Sequence, residues 1–331
     1  MGAPPSLWPA LLSLISLPWV WLLLNRITSP LRAVRLRQLP LESQGPGPLF
    51  TGRLTIGAYN LNHGLGANPF SWKKAQRPPR QELDSRMAGL AALLKEANAD
   101  LLVLNEVDFA SFRTYHLNQA AYLAEHAGFP FWVEQTNVDA ALFGWRHRYG
   151  NALLSRYPLA DPRLVRLPGH GWWESVGWGK KEGLLCSVYP SPENSMQILA
   201  VHLDHRLEST RLKSVRVIHR LRRTSPGPLI LAGDFNSMPA HYPQAAPDPY
   251  GQTALSWLLA QGGYQTRPQP GELPGPLDLT FSTLNPCQVI DWIMVPGDWH
   301  INSHRVVDTG LSDHRMVLME VEVAARVGRR P

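Results

Sequence analysis

The 331-residue sequence predicts an α+β domain in which sheets pack face to face with helices outside. Three observations carry this reading. Apolar runs of strand length recur along the chain, only two long segments have helical spacing, and 30 prolines are spread through the connections. Hydrophobic residues at 44% and charged residues at 18% give an ordinary globular balance, and the length permits a sizeable buried core. There is no internal repeat at a fixed short period.

Residues 2–24 carry no charge and run from Leu7-Trp8-Pro9-Ala10-Leu11-Leu12 to Trp21-Leu22-Leu23-Leu24. About 20 apolar residues suffice to cross a bilayer, and Trp8, Trp19 and Trp21 suit its interfaces. The competing reading is a cleaved signal peptide. Against it, no Lys or Arg precedes the run and no clear Ala-x-Ala site follows. Arginines follow the run, which favours a cytoplasmic domain. Residues 1–25 are therefore expected to form a single membrane span. Residues 26–50 read as a basic, Pro/Gly-rich linker ending at Gly45-Pro46-Gly47-Pro48, residues 51–325 as the folded domain, and 326–331 as a basic tail.

Within the domain, Leu54–Tyr59 reads as a strand ending at Asn60. Residues 80–98 place Leu83, Met87, Leu90, Leu93 and Leu94 on one helical face. Asp100–Asn105 is a buried strand delivering Glu106. Gly150–Ser155 and Gly183–Tyr189 are further strands, Gln197–Val201 delivers His202, and a basic amphipathic helix follows at 207–223. Leu229–Ala232 delivers Gly233-Asp234, Val289-Ile290 flanks Asp291, and Met316–Met319 follows His314.

Asn60, Glu106, His202, Asp234 and Asp313 thus each follow, or lie close to, an apolar run. Strand ends gathered at one rim would bring these groups together on a rigid support. Acidic groups crowded there repel unless a divalent cation neutralises them, and Glu, Asp and Asn oxygens suit Mg²⁺ or Mn²⁺. A neighbouring His adds a group that titrates near neutral pH. Each residue also has a plain structural reading: a strand cap for Asn60, a loop carboxylate for Glu106, an Asx turn for Asp234-Phe235-Asn236-Ser237. Asp291 is the exception, an acid inside an apolar run that needs a partner. His202 and His205, three apart at a strand end, are expected to face opposite sides, which argues against a two-histidine metal site.

Seven motifs, in order, resemble the endonuclease/exonuclease/phosphatase superfamily, the fold of deoxyribonuclease I. They are Ala58-Tyr59-Asn60-Leu61, Leu104-Asn105-Glu106-Val107-Asp108, Gly150–Leu159, Val201-His202-Leu203, Gly233-Asp234-Phe235-Asn236-Ser237, Ile290-Asp291-Trp292-Ile293 and Ser312-Asp313-His314. The resemblance runs from about Leu54 to Val323. Asn105 departs from the usual Gln, and Arg315-Met316 from the common Arg-Pro. Neither departure is expected to touch the chemistry.

The resemblance implies a four-layer α/β/β/α sandwich of two mainly antiparallel sheets. It implies Mg²⁺ (or Mn²⁺) held chiefly by Glu106, with Asn60 and Asp313 nearby, and in-line attack of water on a phosphoester. By the same resemblance His314 is a general base or a phosphate-binding imidazolium oriented by Asp291, Asp234 and Asn236 position nucleophile and phosphate, and His202 donates to a phosphoryl oxygen. Asp234 or His314 remains open as the base. A catalytically silent member acting as a binding module is the alternative.

The family's substrates include nucleic acids, inositol phosphates and phospholipids. Gln288-Val289-Ile290 stands where abasic-site endonucleases usually have Trp-Arg, which disfavours that subfamily. Net charge is +6, but it resides in Arg26, Arg32, Arg35 and Arg37 (against Glu42) and in Arg326, Arg329 and Arg330, so the body is neutral. Bulk charge therefore gives no support to duplex binding. The loop Pro168–Lys181, rich in Trp and Gly, reads as a stacking or membrane-dipping element, or as a self-packed loop. A membrane-adjacent phosphodiester is slightly favoured over duplex DNA, and no protein partner is inferable. Cys186 and Cys287, far apart, form neither a disulfide framework nor a zinc site.

Overall fold

Period-two alternation divides the strands' apolar residues between two faces, and this alone builds the core. In the computed structural model, which describes residues 33–40, 47–67, 77–142, 145–169 and 181–324 together with Val20 and Glu42, the strands form two sheets. The first contains β1 (Val34–Gln38), β2 (Arg53–Asn60), β3 (Leu101–Asp108), β4 (Phe131–Leu142), β5 (Trp145–Ser155), β12 (His300–Val307) and β13 (Met316–Glu322), in the order β1-β4-β5-β3-β2-β13-β12. The second contains β6 (Leu159–Arg166), β7 (Glu182–Ser191), β8 (Asn194–His202), β9 (Leu229–Asp234), β10 (Tyr264–Gln265) and β11 (Asp291–Pro296), in the order β10-β11-β9-β8-β7-β6. Neighbours are antiparallel except β2/β3 and β8/β9, one parallel pair in each sheet.

Inward-facing Leu54, Ile56 and Ala58 of β2, Leu101 and Val103 of β3, and Val317, Met319 and Val321 of β13 meet Ile198, Ile230, Ile293 and Val295 of the other sheet. The outer face of the first sheet buries Tyr59, Leu102, Leu104, Leu154 and Leu318 under α1 (Arg80–Ala97) and α2 (Gln119–Ala127). The outer face of the second buries Leu199, Val201, Leu231, Trp292 and Met294 under α3 (Glu208–Thr224) and α4 (Ala254–Ala260). This is the expected α/β/β/α sandwich. Of the expected apolar face of α1, Leu83, Met87, Leu90 and Leu94 are buried and Leu93 partly so.

Trp292 is among the largest fully buried side chains, and its Nε1–H donates to the carbonyls of Ser237 and Val289, both at 3.1 Å. Trp292→Ala should therefore destabilise the domain by about 3–5 kcal/mol through lost burial and the residual cavity. Urea unfolding followed by circular dichroism checks this.

One difference from the sequence reading follows. Val34–Gln38, inside the expected linker, is an edge strand paired antiparallel with Phe131–Gln135. Its Val/Leu–Arg alternation is the pattern of a half-exposed strand. The expected span at 1–25 (Val20 apart), residues 26–32, 41 and 43–46 of the expected linker, the core of the Trp-rich loop at 170–180 and the tail at 326–331 lie outside the described residues. Among the described residues no helix is long and apolar enough to cross a membrane.

Candidate active site

The parallel pairs decide where the chemistry sits. β2 and β3 run side by side to Asn60 and Asn105, and β8 and β9 to His202 and Asp234, so both sheets deliver polar residues at the same rim. Asp291 opens β11 directly opposite Asp234, and His314 lies two residues ahead of β13. Asp234, His314 and His202 line a cleft of about 670 Å³ with Glu106, Asp313 and Asn236. Of the sequence-predicted residues Asn60 and Asp291 are buried just behind it.

Local geometry explains each placement. The register of β3 against β5 slips between Leu104 and Val107, and Glu106 occupies the left-handed region at φ 53°. That bulge turns its side chain, 25% exposed, into the cleft. Gly233 is required ahead of Asp234: at φ 129° a Cβ would lie 2.1 Å from the Val201 carbonyl. Asn105 Oδ1 accepts the Asp234 backbone N–H at 3.0 Å while its Nδ2 donates to Asn151 at 2.8 Å. The departure at Asn105, expected to be remote from the chemistry, therefore supports Asp234 directly. Ser312 Oγ donates to the Asn60 carbonyl at 2.6 Å and accepts from the His314 backbone at 3.2 Å, tying the last motif to the first.

Asp291 has the partner that its burial demands. His314 Nδ1 lies 2.8 Å from Asp291 Oδ2, and the N–H groups of Ile290 and Asp291 donate to Thr280 Oγ1 at 3.1 and 3.2 Å. His314 Nε2 then faces Asp234 Oδ2 at 3.9 Å, and His202 Nε2 stands 3.7 Å from the same oxygen. Asn236 donates its backbone N–H to Asp234 Oδ1 at 2.8 Å and its Nδ2 to the Leu203 carbonyl at 3.2 Å. Asn60 Nδ2 reaches both Asp234 Oδ2 at 3.1 Å and Glu106 Oε1 at 3.4 Å, while its Oδ1 accepts from Asn62 N–H at 3.0 Å. Here Asn60 bridges two carboxylates through its nitrogen. As a metal ligand it would have to present Oδ1 instead.

Electrostatics separate the acidic and basic groups. Burial, followed by repulsion from Asp291, pushes Asp234 up to about 7, with His314 and the amides of Asn236 and Asn60 opposing. Burial disfavours the charged ring of His314, but the Asp291 carboxylate, then Asp234 and Asp313, raise it to about 10. His202 is driven well below its ordinary value by burial, then by Lys181.

These directions carry a stability prediction. His314 is a base whose pKa rises from 6.5 to about 10 on folding, so its stabilisation is complete below pH 6.5 and is lost as pH climbs through 10. Above pH 7.5 unfolded histidines are already neutral, leaving this group to dominate. In EDTA, Tm should fall between pH 7.5 and 9.5, and Asp291→Asn should remove most of that slope. A flat wild-type profile would contradict the pairing.

The donor set fits a hard divalent cation. Glu106, Asp234 and Asp313 present carboxylates to one cleft, and Asp291 Oδ1 is a buried oxygen with no hydrogen-bond partner. Asp234, Asp291 and His314 also bring ligand atoms within 4.8 Å of one another. Because Asp291 already engages His314 Nδ1, that cluster is better suited to handling a proton.

Sequence reasoning passed over other lining groups, His63, Tyr149, Arg206 and Phe281, while Lys181, at the end of the Trp-rich loop, also lines the cleft. His205 is a correction. It lines the same cleft as His202, because β8 ends at His202 and Asp204 Oδ1 accepts the N–H groups of Arg206 and Leu207, turning the chain back. Strand alternation does not extend that far.

A family model described as Endonuclease/Exonuclease/phosphatase family matches residues 57–314. No curated protein matches the sequence. Among solved structures, an endonuclease/exonuclease/phosphatase from Beutenbergia cavernae shares 22% identity over 82% of this chain and 72% of its own, with a TM-score of 0.61. A mannosyl-6-phosphatase from Bacteroides thetaiotaomicron shares 18% over 81% and 99%, with a TM-score of 0.55. The human Nocturnin catalytic domain, solved with a sulfate anion, shares 14% over 89% and 99%, with a TM-score of 0.55. At these identities the structures establish the fold.

Proposed function

The chain belongs to the endonuclease/exonuclease/phosphatase family, whose members are hydrolases of phosphoester bonds, and we propose that it is itself a divalent-metal-dependent phosphoesterase. The observation that carries the proposal is the pairing of Asp291 with His314 across from Asp234, beside the Glu106 and Asp313 carboxylates. An inert binding module has no need to bury three acids around one imidazole.

Glu106 and Asp313 would hold the cation, with Asn60 adjoining. A bound Mg²⁺ supplies Lewis-acid stabilisation of charge on the phosphoryl and leaving oxygens. Asp291 fixes the His314 ring so that Nε2 points into the cleft. With its proton retained, that ring binds a phosphoryl oxygen as a cation. Asp234, raised towards neutrality, is then suited to take the proton of the attacking water. This assigns the base to Asp234 and phosphate binding to His314. Asn236 orients Asp234 through its backbone, and His202, neutral, donates one hydrogen bond to the phosphoryl group.

The substrate is a phosphoester of a lipid or a nucleic acid. The neutral body and the uncharged segment 2–24 favour a membrane-adjacent phosphodiester. Anchoring through residues 1–25, with a cytoplasmic domain, rests on the sequence pattern. The test is hydrolysis of bis(p-nitrophenyl) phosphate, DNA, RNA, phospholipid, phosphoinositide and sugar phosphate, each with Mg²⁺ and with EDTA. Turnover of at least one substrate, lost in EDTA, is expected. No turnover of any would return the chain to the binding-module reading.

A further inference from the structure

Behind Glu106 lies a buried polar assembly that the chemistry above does not use. Its centre is His63, whose side chain is 8% exposed and whose two ring nitrogens both face carboxylates. Nε2 lies 3.1 Å from Glu106 Oε2. Nδ1 lies 3.2 Å from Asp108 Oδ1, a close contact rather than an aligned hydrogen bond. Asp108 is itself immobilised: Arg113 donates Nη2–H and Nε–H to its two oxygens at 2.7 and 2.9 Å, and Thr114 donates at 3.0 Å. Its backbone N–H donates to Gln119 Oε1 at 2.8 Å, and Gln119 Nε2 returns to the His63 carbonyl at 2.7 Å. The circuit from Asp108 through Gln119 to His63 and back is closed.

The backbone is shaped around this circuit. His63 holds φ 58° and ψ 17°, a left-handed conformation uncommon for a side chain of its size. Gly64, at φ 71°, leaves no room for a Cβ, which would sit 2.8 Å from Gln119 Nε2. Tyr149 packs edge-on against the ring at 4.9 Å and 80°.

Burial alone does not account for the arrangement. A histidine serving only the core would satisfy its nitrogens on backbone or on one polar neighbour. Here the ring spans from a locked, fully buried carboxylate to the partly exposed carboxylate of Glu106. On the other oxygen of Glu106 the Asn60 amide lies at 3.4 Å, and the Glu106 backbone sits in a bulge. Outer groups that fix a ligand's orientation typically contribute 10–100-fold to metal affinity.

We propose that His63 is a positioning residue: braced by Asp108, Arg113 and Gln119, it fixes the Glu106 carboxylate in the orientation that receives the divalent cation. The proposal rests on the reading of Glu106 as a metal ligand.

The experiment measures Mn²⁺ affinity of the full chain by calorimetry, with no substrate present, for wild type, His63→Asn, His63→Gln and Glu106→Ala. Asparagine tolerates the left-handed backbone but cannot reach Glu106. Glutamine carries an N–H donor close to the position of Nε2. The expected pattern is a 10–100-fold weaker affinity for His63→Asn, recovery to within about threefold of wild type for His63→Gln, and no binding by Glu106→Ala. Affinity of His63→Asn within about threefold of wild type, or His63→Gln as weak as His63→Asn, would overturn the proposal. Full Mn²⁺ affinity in Glu106→Ala would instead remove the underlying reading of Glu106. Should the His63 variants fail to fold by circular dichroism, the wild-type His63 ring ¹⁵N signals decide. A shift on titration with Mg²⁺ supports the proposal, and no shift overturns it.

Discussion

Glu106→Ala should abolish Mg²⁺-dependent hydrolysis while leaving the sandwich folded. Metal stabilisation of the transition state is worth several kcal/mol, so a loss of about a thousandfold or more in rate follows from removing its principal ligand. Structure and chemistry separate cleanly at this position. Glu106 sits in a β-bulge, faces the cleft, and contributes nothing to the three apolar clusters. Its removal relieves repulsion among carboxylates but takes from His63 Nε2 its 3.1 Å partner, so Tm in EDTA should change little. The check is kcat across a Mg²⁺ titration beside a thermal melt. Full retained activity would take Glu106 out of the metal site.

His314→Ala should lower the rate by roughly 10²–10³-fold with an unchanged far-ultraviolet circular dichroism spectrum. Two functions end together: the charged donor to the phosphoryl oxygen, and the counter-charge that lets Asp234 and Asp291 share one buried site. The variant leaves Asp291 buried without its 2.8 Å partner, so a clear fall in Tm, from a loss of about 3–5 kcal/mol, accompanies the rate loss. Asp291→Asn should act on the same unit, through the orientation of the ring. The double variant His314→Ala/Asp291→Asn should therefore be hardly slower than His314→Ala alone. Additive losses would mean that Asp291 serves some other group.

The reach of the sequence can be judged from particular elements. Strands buried on both faces, such as Leu229–Ala232 and Leu101–Leu104, are visible because nothing polar interrupts them, and the polar residue that ends each run marks the site. β4 hides because its buried residues include Glu134, Gln135, Thr136 and Asn137. They are satisfied by one another and by residues distant in sequence: Gln135 Nε2 donates to Asn137 at 2.6 Å, Asn118 Nδ2 to Glu134 at 2.7 Å, and Asn151 Nδ2 to Gln135 at 2.7 Å. Hydrophobic periodicity cannot register a strand whose burial is made favourable by side-chain hydrogen bonds. β1 carried a legible alternation, Val34-Arg35-Leu36-Arg37, that the concentration of arginines disguised as a solvated linker.

The same distinction governs the site. Asp291 announced itself as an acid without a local partner, and the partner proved to be His314. His63 gave no such signal, since Asn62-His63-Gly64 is what a turn looks like. Its meaning depends on a contact to Glu106 that only the parallel pairing of β2 with β3 creates. Asn105 was visible as a departure from a motif, but its bond to the Asp234 backbone spans the two sheets and is invisible along the chain.

The most direct test of water attack at phosphorus is hydrolysis of the best substrate in H₂¹⁸O with Mg²⁺, followed by mass spectrometry of both products. One ¹⁸O in the phosphorus-bearing product, none in the released alcohol, and no turnover in EDTA is the predicted result. Label in the alcohol, or turnover indifferent to EDTA, would contradict it.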